Sequence, residues 1–111
     1  MTDRELRLAK NEALFRGVNE RVREVKGELP DAGPASKIEF ICECGRSDCV
    51  DHVTLTVAEY EQVRAEETHF VLKPGHEAPD VEDVVRTGDG YVVVEKHPGE
   101  GAVARETDPR S

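Results

Sequence analysis

Apolar side chains recur at intervals of three and four residues through the first quarter of the chain. The series runs from Leu8 to Leu29 and contains one polar residue, Asn11. This heptad spacing predicts a long amphipathic helix over residues 1–29, because side chains three and four positions apart lie on one side of a helix. The apolar seam comprises Leu8, Asn11, Phe15, Val18, Val22, Val25 and Leu29.

Two interpretations of this helix stay open at the level of sequence. The seam packs either on the rest of the same chain or on a partner, which is a second copy or a different protein. In the second case Phe15 is the central anchor, and the predicted contact residues are Leu8, Asn11, Phe15, Val18 and Val22. The segment "ELPDAGPAS" follows the helix. Its two prolines and one glycine predict a linker over residues 30–36, which would let the helix leave the domain.

The next sixty residues carry shorter patterns that predict a small mixed domain over residues 37–96. Four segments alternate or cluster apolar residues as strands do, and the "GDG" sequence between the last two predicts a hairpin turn. The predicted strands are "KIEFICEC" (37–44), "HFVLK" (69–73), "VEDVVRT" (81–87) and "YVVVEK" (91–96).

One short helix completes this domain. Thr56 and Glu59 have the spacing of a capping box, which predicts a helix over about residues 57–67 with Tyr60 and Val63 facing inward. Residues 97–111 contain little that a core would bury, so a flexible tail is expected there. The predicted fold is therefore α+β: a long N-terminal amphipathic helix, then about four strands and one short helix stabilised by zinc.

Charge and composition narrow the class of partner. The chain has 111 residues, enough for one domain, and a net charge of −9. Residues 1–30 carry seven basic and six acidic side chains, whereas residues 31–111 carry eight basic and eighteen acidic ones. Because an acidic body repels phosphate, the sequence predicts no direct binding of nucleic acid. No apolar run approaches the ~20 residues of a membrane span, and the N-terminus lacks a signal-peptide core, so a cytoplasmic protein without membrane contact is expected.

All three cysteines of the chain lie within "CECGRSDC", residues 42–49. In a reducing compartment, clustered thiols are more often metal ligands than disulfides. Cys42 and Cys44 lie two residues apart in a predicted strand, so both point to the same face, and Gly45 permits a turn that returns Cys49. Zinc takes four tetrahedral nitrogen or sulfur ligands, and three cysteines with one histidine form a common structural set.

Two histidines compete for the fourth position. His52 follows Cys49 by three residues, whereas His76 lies in the "PGH" turn after the "HFVLK" strand. We favour His76, because a metal stabilises most when it joins segments far apart in the chain, and we retain His52 as the alternative. Two other interpretations of the cysteines also remain: buried core residues without a metal, and a redox pair of Cys49 with Cys42 or Cys44.

The sequence favours a binding protein over an enzyme, and no catalytic residue is predicted. Ser47, Asp48, Asp51 and His52 lie near one another in sequence, which is not evidence of a catalytic arrangement in space. The expected function is a non-enzymatic zinc module that mediates protein–protein interaction as a regulatory adaptor. The alternatives are a thiol redox switch, in which oxidation ejects the metal, and a small metal-dependent hydrolase.

Several segments taken together are similar to one protein family. They are "NEALFRGVNERVREV", "FICECGRSDC", "LTVAEYEQVRAEETHFVLKPGHE", "GYVVVEK" and the closing "TDPR". Over most of residues 11–110 the chain resembles a family of small Cys-x-Cys-x4-Cys proteins of high-GC Gram-positive bacteria that has no established function. In that family the "PGH" turn is a marked feature and the position of His52 is often not histidine. The resemblance therefore implies His76 as a ligand and a bacterial cytosolic setting.

Overall fold

A computed structural model of the chain describes residues 1–30 and 32–110 and confirms the α+β fold. Asp31 in the predicted linker and Ser111 at the end of the predicted tail lie outside the described residues. Within those ranges, no helix is both long enough and apolar enough to cross a membrane. The elements are α1 (Asp3–Gly27), β1 (Lys37–Ile41), β2 (His52–Thr56), α2 (Val57–Arg64), β3 (His69–Leu72), β4 (Glu82–Gly88), β5 (Tyr91–Lys96) and α3 (Pro98–Glu106).

Helix α1 packs on the domain with a polar face. It begins at Thr2, whose hydroxyl oxygen accepts a hydrogen bond from the Glu5 amide at 3.1 Å, a favourable N-cap. Its buried residues are Ala9, Glu12, Arg16 and Asn19, each one position beyond a residue of the predicted seam. Helix α1 is therefore packed on the domain, and whether the linker lets it leave stays a prediction.

The predicted seam is divided between the domain and the surface. Leu8 and Asn11 contact the cysteine loop, and Val22 packs against the main core cluster. Val18, Val25 and Leu29 are exposed. Leu8, Asn11 and Val22 are thus used within the chain and are not a free partner surface, because the helix is rotated so that its hydrogen-bonding side chains face inward.

A buried lysine links the first half of α1 to the second sheet. Lys96 Nζ lies 2.6 Å from Glu12 Oε2 and 2.5 Å from Glu82 Oε1, and all three side chains are almost completely buried. Buried charges are tolerated in proteins when they are paired in this way. The polar face of α1 is therefore specified by partners that lie far away in the sequence.

Arg16 and Asn19 complete the buried polar face of α1. Arg16 donates to the carbonyl oxygens of Glu67 at 2.6 Å and Ala104 at 2.7 Å, and its guanidinium group lies 4.6 Å from the centre of the Phe70 ring. The Asn19 side chain exchanges two hydrogen bonds with the backbone of Ile41, each 2.9 Å long. These bonds fix the rotation of the helix as well as its position, because they join side chains on one side of α1 to backbone groups of three other segments.

The strands form two antiparallel sheets, β1–β2 and β3–β5–β4. Strand β2 is absent from the predicted elements, although Val53 and Leu55 alternate with exposed neighbours as a half-buried strand requires. The predicted hairpin forms between β4 and β5, with Gly90 at φ 81° in its turn. Its register shifts between Val84 and Arg86, where β4 forms a bulge.

The capping box and the inward face of α2 are confirmed. Thr56 accepts from the Glu59 amide at 3.1 Å, and the Glu59 carboxylate accepts from the Thr56 amide at 2.7 Å. Tyr60 and Val63 are fully buried, and the Tyr60 ring stacks on Phe40 with 4.2 Å between centroids. The helix ends at Arg64, three residues before the predicted end.

Residues 97–110 are not the flexible tail that we predicted. Pro98 occupies the first turn of α3, where its missing amide hydrogen costs nothing, and Ala104 is buried. Beyond the helix, the Asp108 carboxylate pairs with Arg64, and Arg110 binds Glu20 and Glu61. The two glycines of "PGEGAV" obscured the helix at the sequence level, because Gly disfavours helix and the contacts that stabilise it lie elsewhere in the chain.

The buried Glu12 carboxyl group predicts a pH-dependent stability. Burial raises the pKa of Glu12 to about 8, against the opposing charge of Lys96, from an ordinary value of 4.5. The folded protein therefore keeps a proton that the unfolded chain has lost, and this contribution to stability disappears as pH rises through about 8. We expect the free energy of unfolding to fall by on the order of 2 kcal/mol between about pH 6 and about pH 8.

Urea titrations of wild type and two matched variants test this expectation. Glu12→Gln should reduce the slope, because the amide does not titrate, and should leave the part that comes from Glu43, whose pKa burial raises to about 7. Glu24→Gln, on the exposed side of the same helix, should keep it. Parallel slopes for all three proteins would assign the pH dependence to another group.

Candidate metal centre

Two loops bring four potential metal ligands together. The connection between β1 and β2 carries Cys42, Cys44 and Cys49, and the connection between β3 and β4 carries His76. One ligand atom from each of the four residues lies within 4.8 Å of every other. These are the four residues that the sequence analysis favoured, and they are positioned to hold a metal ion.

The distances within this Cys3His group suit a tetrahedral ion. His76 Nδ1 lies 3.6 Å from the sulfur of Cys42 and 3.6 Å from that of Cys49. Zinc bonds of about 2.3 Å to sulfur and about 2.0–2.1 Å to nitrogen, at tetrahedral angles, put the two ligand atoms roughly 3.6 Å apart. The chemistry of the donor set and its spacing therefore both fit a zinc ion held by Cys42, Cys44, Cys49 and His76.

Backbone pairing explains how His76 reaches the cysteines. Strand β3 pairs with β5 along its length and not with β1. Contact with the cysteine segment occurs just after β1, where the Glu43 amide donates to the Val71 carbonyl at 2.9 Å. The Glu43 carboxylate accepts from the Val71 amide at 3.0 Å, so the two segments are joined twice. The turn at the end of β3 then places His76 over the thiols.

Gly45 allows the cysteine loop to lie directly on α1. Its φ of 77° is in the left-handed region that glycine adopts without strain. A β-carbon at this position would lie 2.6 Å from Glu12 Cγ and 2.9 Å from Leu8 Cδ1. Asn11 Nδ2 donates to the Gly45 carbonyl at 3.1 Å. The ligand-bearing loop and the helix are therefore packed as one unit.

Polar groups surrounding the ligands orient them. The Lys73 amide lies 3.2 Å from the Cys42 sulfur, and the Asp51 carboxylate lies 3.3 Å from His76 Nε2. With Nε2 facing a carboxylate, Nδ1 faces the sulfurs as a free ligand atom. A carboxylate behind a metal-bound histidine is common, because it fixes the ring and raises its basicity. Lys73 Nζ lies 3.5 Å from the other Asp51 oxygen and holds that carboxylate in turn.

The thiols share protons in a way that favours metal binding. A hydrogen bond from Cys42 lowers the pKa of the Cys44 thiol to about 4, and the same bond raises the pKa of Cys42. The hydrogen bond therefore favours the thiolate form of Cys44 and the thiol form of Cys42. Since a metal binds thiolates, occupation of the site releases the proton that Cys42 retains.

The other candidate residues of the sequence lie outside the group. His52, the alternative fourth ligand, is on β2 with its ring exposed, and its Nδ1 lies 3.6 Å from Glu39 Oε1. Ser47 and Asp48 are exposed in the cysteine loop. The structure thus places His76, and not His52, with the three cysteines, a choice that the sequence spacing alone did not decide.

Asp51 and Glu43 are the site residues that sequence reasoning missed. Asp51 stood among loop residues interpreted as solvated, yet it orients His76. Glu43 lies between two ligands in the sequence and is fully buried, where Asn19 Nδ2 donates to it at 2.8 Å. An acidic residue inside a ligand-bearing loop was the available signal, but the sequence has no feature that tells Asp51 from Asp48.

Comparisons of the chain with protein-family models, with curated proteins and with solved structures found no match. What the four ligands can do is therefore inferred from their own geometry and surroundings.

Asp51 provides a test of the arrangement behind His76. Replacing it with Asn keeps the shape but removes the charge, and loss of such a partner typically weakens metal affinity 10–100-fold. We expect Asp51→Asn to fold normally and to lose zinc to a chromophoric chelator at a lower chelator concentration than wild type. Asp48→Asn, exposed in the same loop, is the matched control. Equal affinities for the two variants would show that Asp51 does not support the ligand.

Proposed function

We propose that the protein is a non-enzymatic zinc-binding module that mediates protein–protein interaction, with the helix α1 as its contact element. The observation that carries this proposal is the complete Cys3His group, whose ligand atoms lie within 4.8 Å of one another. A set of four protein ligands supports a structural zinc, because a catalytic zinc keeps one position open for water or substrate.

The surface of α1 supports a contact role. Leu14, Val18, Val25 and Leu29 are large apolar side chains that remain exposed after the helix has packed on its own domain. The first three lie on α1 and Leu29 follows two residues after its end, whereas apolar residues scattered singly over a surface need no explanation. The zinc site anchors the same helix through Gly45, so metal binding would hold the contact surface in position.

A thiol redox switch is the second candidate, and the position of Cys49 favours it. Cys42 and Cys44 are buried, but Cys49 is only half-buried and lines a surface cavity of about 270 Å³. A small oxidant that enters this cavity reaches Cys42 and Cys49, of which Cys49 is the more exposed. Zinc lost under mild peroxide, with recovery after reduction, would favour this function over a purely structural metal.

A small metal-dependent hydrolase receives less support. It would require an open position on the metal, and the ligand set already has four members. A water molecule that exchanges on the bound metal would be the observation in its favour.

The proposal is tested by metal analysis and by cross-linking on the same protein. We expect one equivalent of zinc per chain after purification without chelators. A photoreactive amino acid at exposed Leu14 should cross-link one protein in cells of the native host, whereas the same group at exposed Ala102 of α3 should not. Zinc well below one equivalent would overturn the metal site, and equal labelling from both positions would overturn the contact role of α1.

A further inference from the structure

Helix α1 presents a second seam to solvent, on the side opposite its buried face. We call it the outer seam; its residues recur at intervals of three and four and are all exposed. They are Arg7, Lys10, Leu14, Val18, Arg21 and Val25. Such spacing places them in one strip along the helix, in which two basic residues precede two apolar ones, and Arg21 precedes Val25. The apolar part from Leu14 to Val25 is roughly 16 Å long, at 1.5 Å per residue.

A cavity beside the outer seam extends the apolar surface. It encloses about 270 Å³, and Phe15, Ile41 and Val50 form apolar parts of its wall. Phe15 is three positions from Val18 on α1, and Val50 is 82% exposed at the rim. The cavity is large enough for a bulky side chain, so the strip has a defined place for an anchor residue.

The outer seam is positive over residues 7–21 because the acidic residues of that part of α1 are bound to cations of the domain. Between residues 6 and 23 the only acids are Glu12 and Glu20. Glu12 binds Lys96, and Glu20 binds Arg64 and Arg110. Within the described part of the chain, Arg7 and Lys10 have no ion pair, and Arg21 pairs with Glu24 at an exposed 3.2 Å contact. Two cations beside the apolar strip are therefore free to bind an external anion.

We propose that the outer seam binds an acidic amphipathic helix of another protein, which places a large apolar side chain in the adjoining cavity. This inference rests on the proposed contact role of α1 and names the chemistry of the partner. A partner helix matches the three-and-four spacing of the strip, and its carboxylates complement Arg7 and Lys10. The strip is narrow, so the complex is expected to be transient and sensitive to salt.

Two other occupants fit the charges less well. An anionic membrane would attract the outer seam but repel a protein whose net charge is −9. A second copy could offer its acidic body, but a contact between two different surfaces of one chain does not close into a dimer. Both occupants are outcomes of the experiment below.

The test uses the full-length zinc-loaded protein and two labelled synthetic peptides about 18 residues long, roughly 27 Å of helix. The acidic peptide carries Leu and one Phe at three-and-four spacing, with Glu elsewhere; the basic peptide has Lys in place of Glu. Fluorescence anisotropy should show binding of the acidic peptide alone, weakening as salt rises from about 50 to about 300 mM. Val18→Glu and Lys10→Glu should each raise the Kd at least about tenfold, as expected for an anchor and for a reversed contact charge.

Matched controls lie on other surfaces. Val85, 46% exposed on the bulge of β4, is similar in exposure to Val18, which is 42% exposed. Lys37 is an exposed lysine at the start of β1. Val85→Glu and Lys37→Glu should leave the Kd unchanged, and all four variants should keep full zinc content. If the control substitutions raise the Kd for the acidic peptide as much as Val18→Glu and Lys10→Glu do, the proposal is overturned.

The remaining outcomes separate this inference from the proposed function. The inference is overturned if the basic peptide binds as tightly as the acidic one or if neither binds. It is also overturned if anionic vesicles bind the protein, or if sedimentation shows a dimer that Val18→Glu dissociates. A partner cross-linked at Leu14 together with any of these results would retain the proposed function and reject only the acidic helix. Absence of zinc would reject the proposed function itself.

Discussion

Replacing Cys44 with Ser is expected to abolish binding of the proposed zinc ion and to unfold much of residues 37–77. A hydroxyl group is a poor substitute for a thiolate ligand, and Cys44 is the cysteine with the lowered pKa. In small zinc modules the binding free energy is itself folding free energy, on the order of 10 kcal/mol or more. Because whole domains are stable by only about 5–15 kcal/mol, a loss of this size is decisive.

The position of the cysteines in the core explains why the damage should spread. Cys42 and Cys44 belong to the second apolar cluster, in which they pack with residues from β3, β5 and α3. The other members of this cluster are Phe70, Leu72, Val92, Val94 and Ala104. The first cluster, around Phe40 and Tyr60, contains no ligand. Hydrogen exchange should therefore rise more at Phe70 and Leu72 than at Leu55.

Thermal unfolding and zinc content measured on one preparation test this result. Asp48→Ser, in the same loop but outside the ligand group, is the matched control and should keep both the metal and the melting temperature. Removal of zinc from wild type with a chelator should reproduce the Cys44→Ser melting curve. An unchanged melting temperature in Cys44→Ser would exclude a structural role for the metal.

The second large effect is expected at Lys96. Replacing it with Met keeps the apolar length of the side chain but leaves the buried carboxyl groups of Glu12 and Glu82 without their shared cation. Removing one partner of a buried ion pair typically costs about 3–5 kcal/mol. Urea unfolding should show a loss of this size, because within the described residues no other cation pairs with these two carboxyl groups, and the Ala78 amide that donates to Glu82 at 2.9 Å carries no full charge.

Two further variants make the Lys96 prediction specific. Lys37→Met removes an exposed lysine and should change stability by less than about 0.5 kcal/mol. The combination of Lys96→Met with Glu12→Gln and Glu82→Gln removes the whole charged group and should recover part of the loss. If Lys96→Met is no worse than Lys37→Met, the buried contacts do not stabilise the attachment of α1.

The rotation of α1 is the clearest case in which the sequence pattern was insufficient. Heptad spacing of apolar residues located the helix, and local hydrogen bonding at Thr2 fixed its start. The same spacing left open whether the apolar seam contacts a partner or faces the interior of the domain. Glu12, Arg16 and Asn19 face it instead, since they bond to groups 22 to 88 residues away. Hydrogen bonds between residues far apart in the chain produce no periodicity in the sequence. A polar interface between a helix and its domain therefore cannot be predicted from the spacing of apolar residues.

The metal centre likewise has one part that the sequence predicts and another that depends on contacts between distant segments. Clustering of the cysteines, and the glycine that turns the loop, are local features that the chain carries in one short segment. The choice of His76 over His52 required the contact between Glu43 and Val71, which brings two loops to the same edge of the molecule. The role of Asp51 depends on the same contact, because its partner, His76, is 25 positions further along the chain.

Interactions within a few residues were therefore determined by the sequence itself. They include the capping box at Thr56, the inward face of α2, the turn before β5 and the three thiols of one loop. Each depends on backbone geometry and on neighbours that the chain supplies locally. The buried face of α1, the helix α3 and the fourth ligand were decided only by the tertiary structure. Their free energy comes from pairing polar groups and burying apolar ones between distant segments, and those groups meet only when the chain has folded.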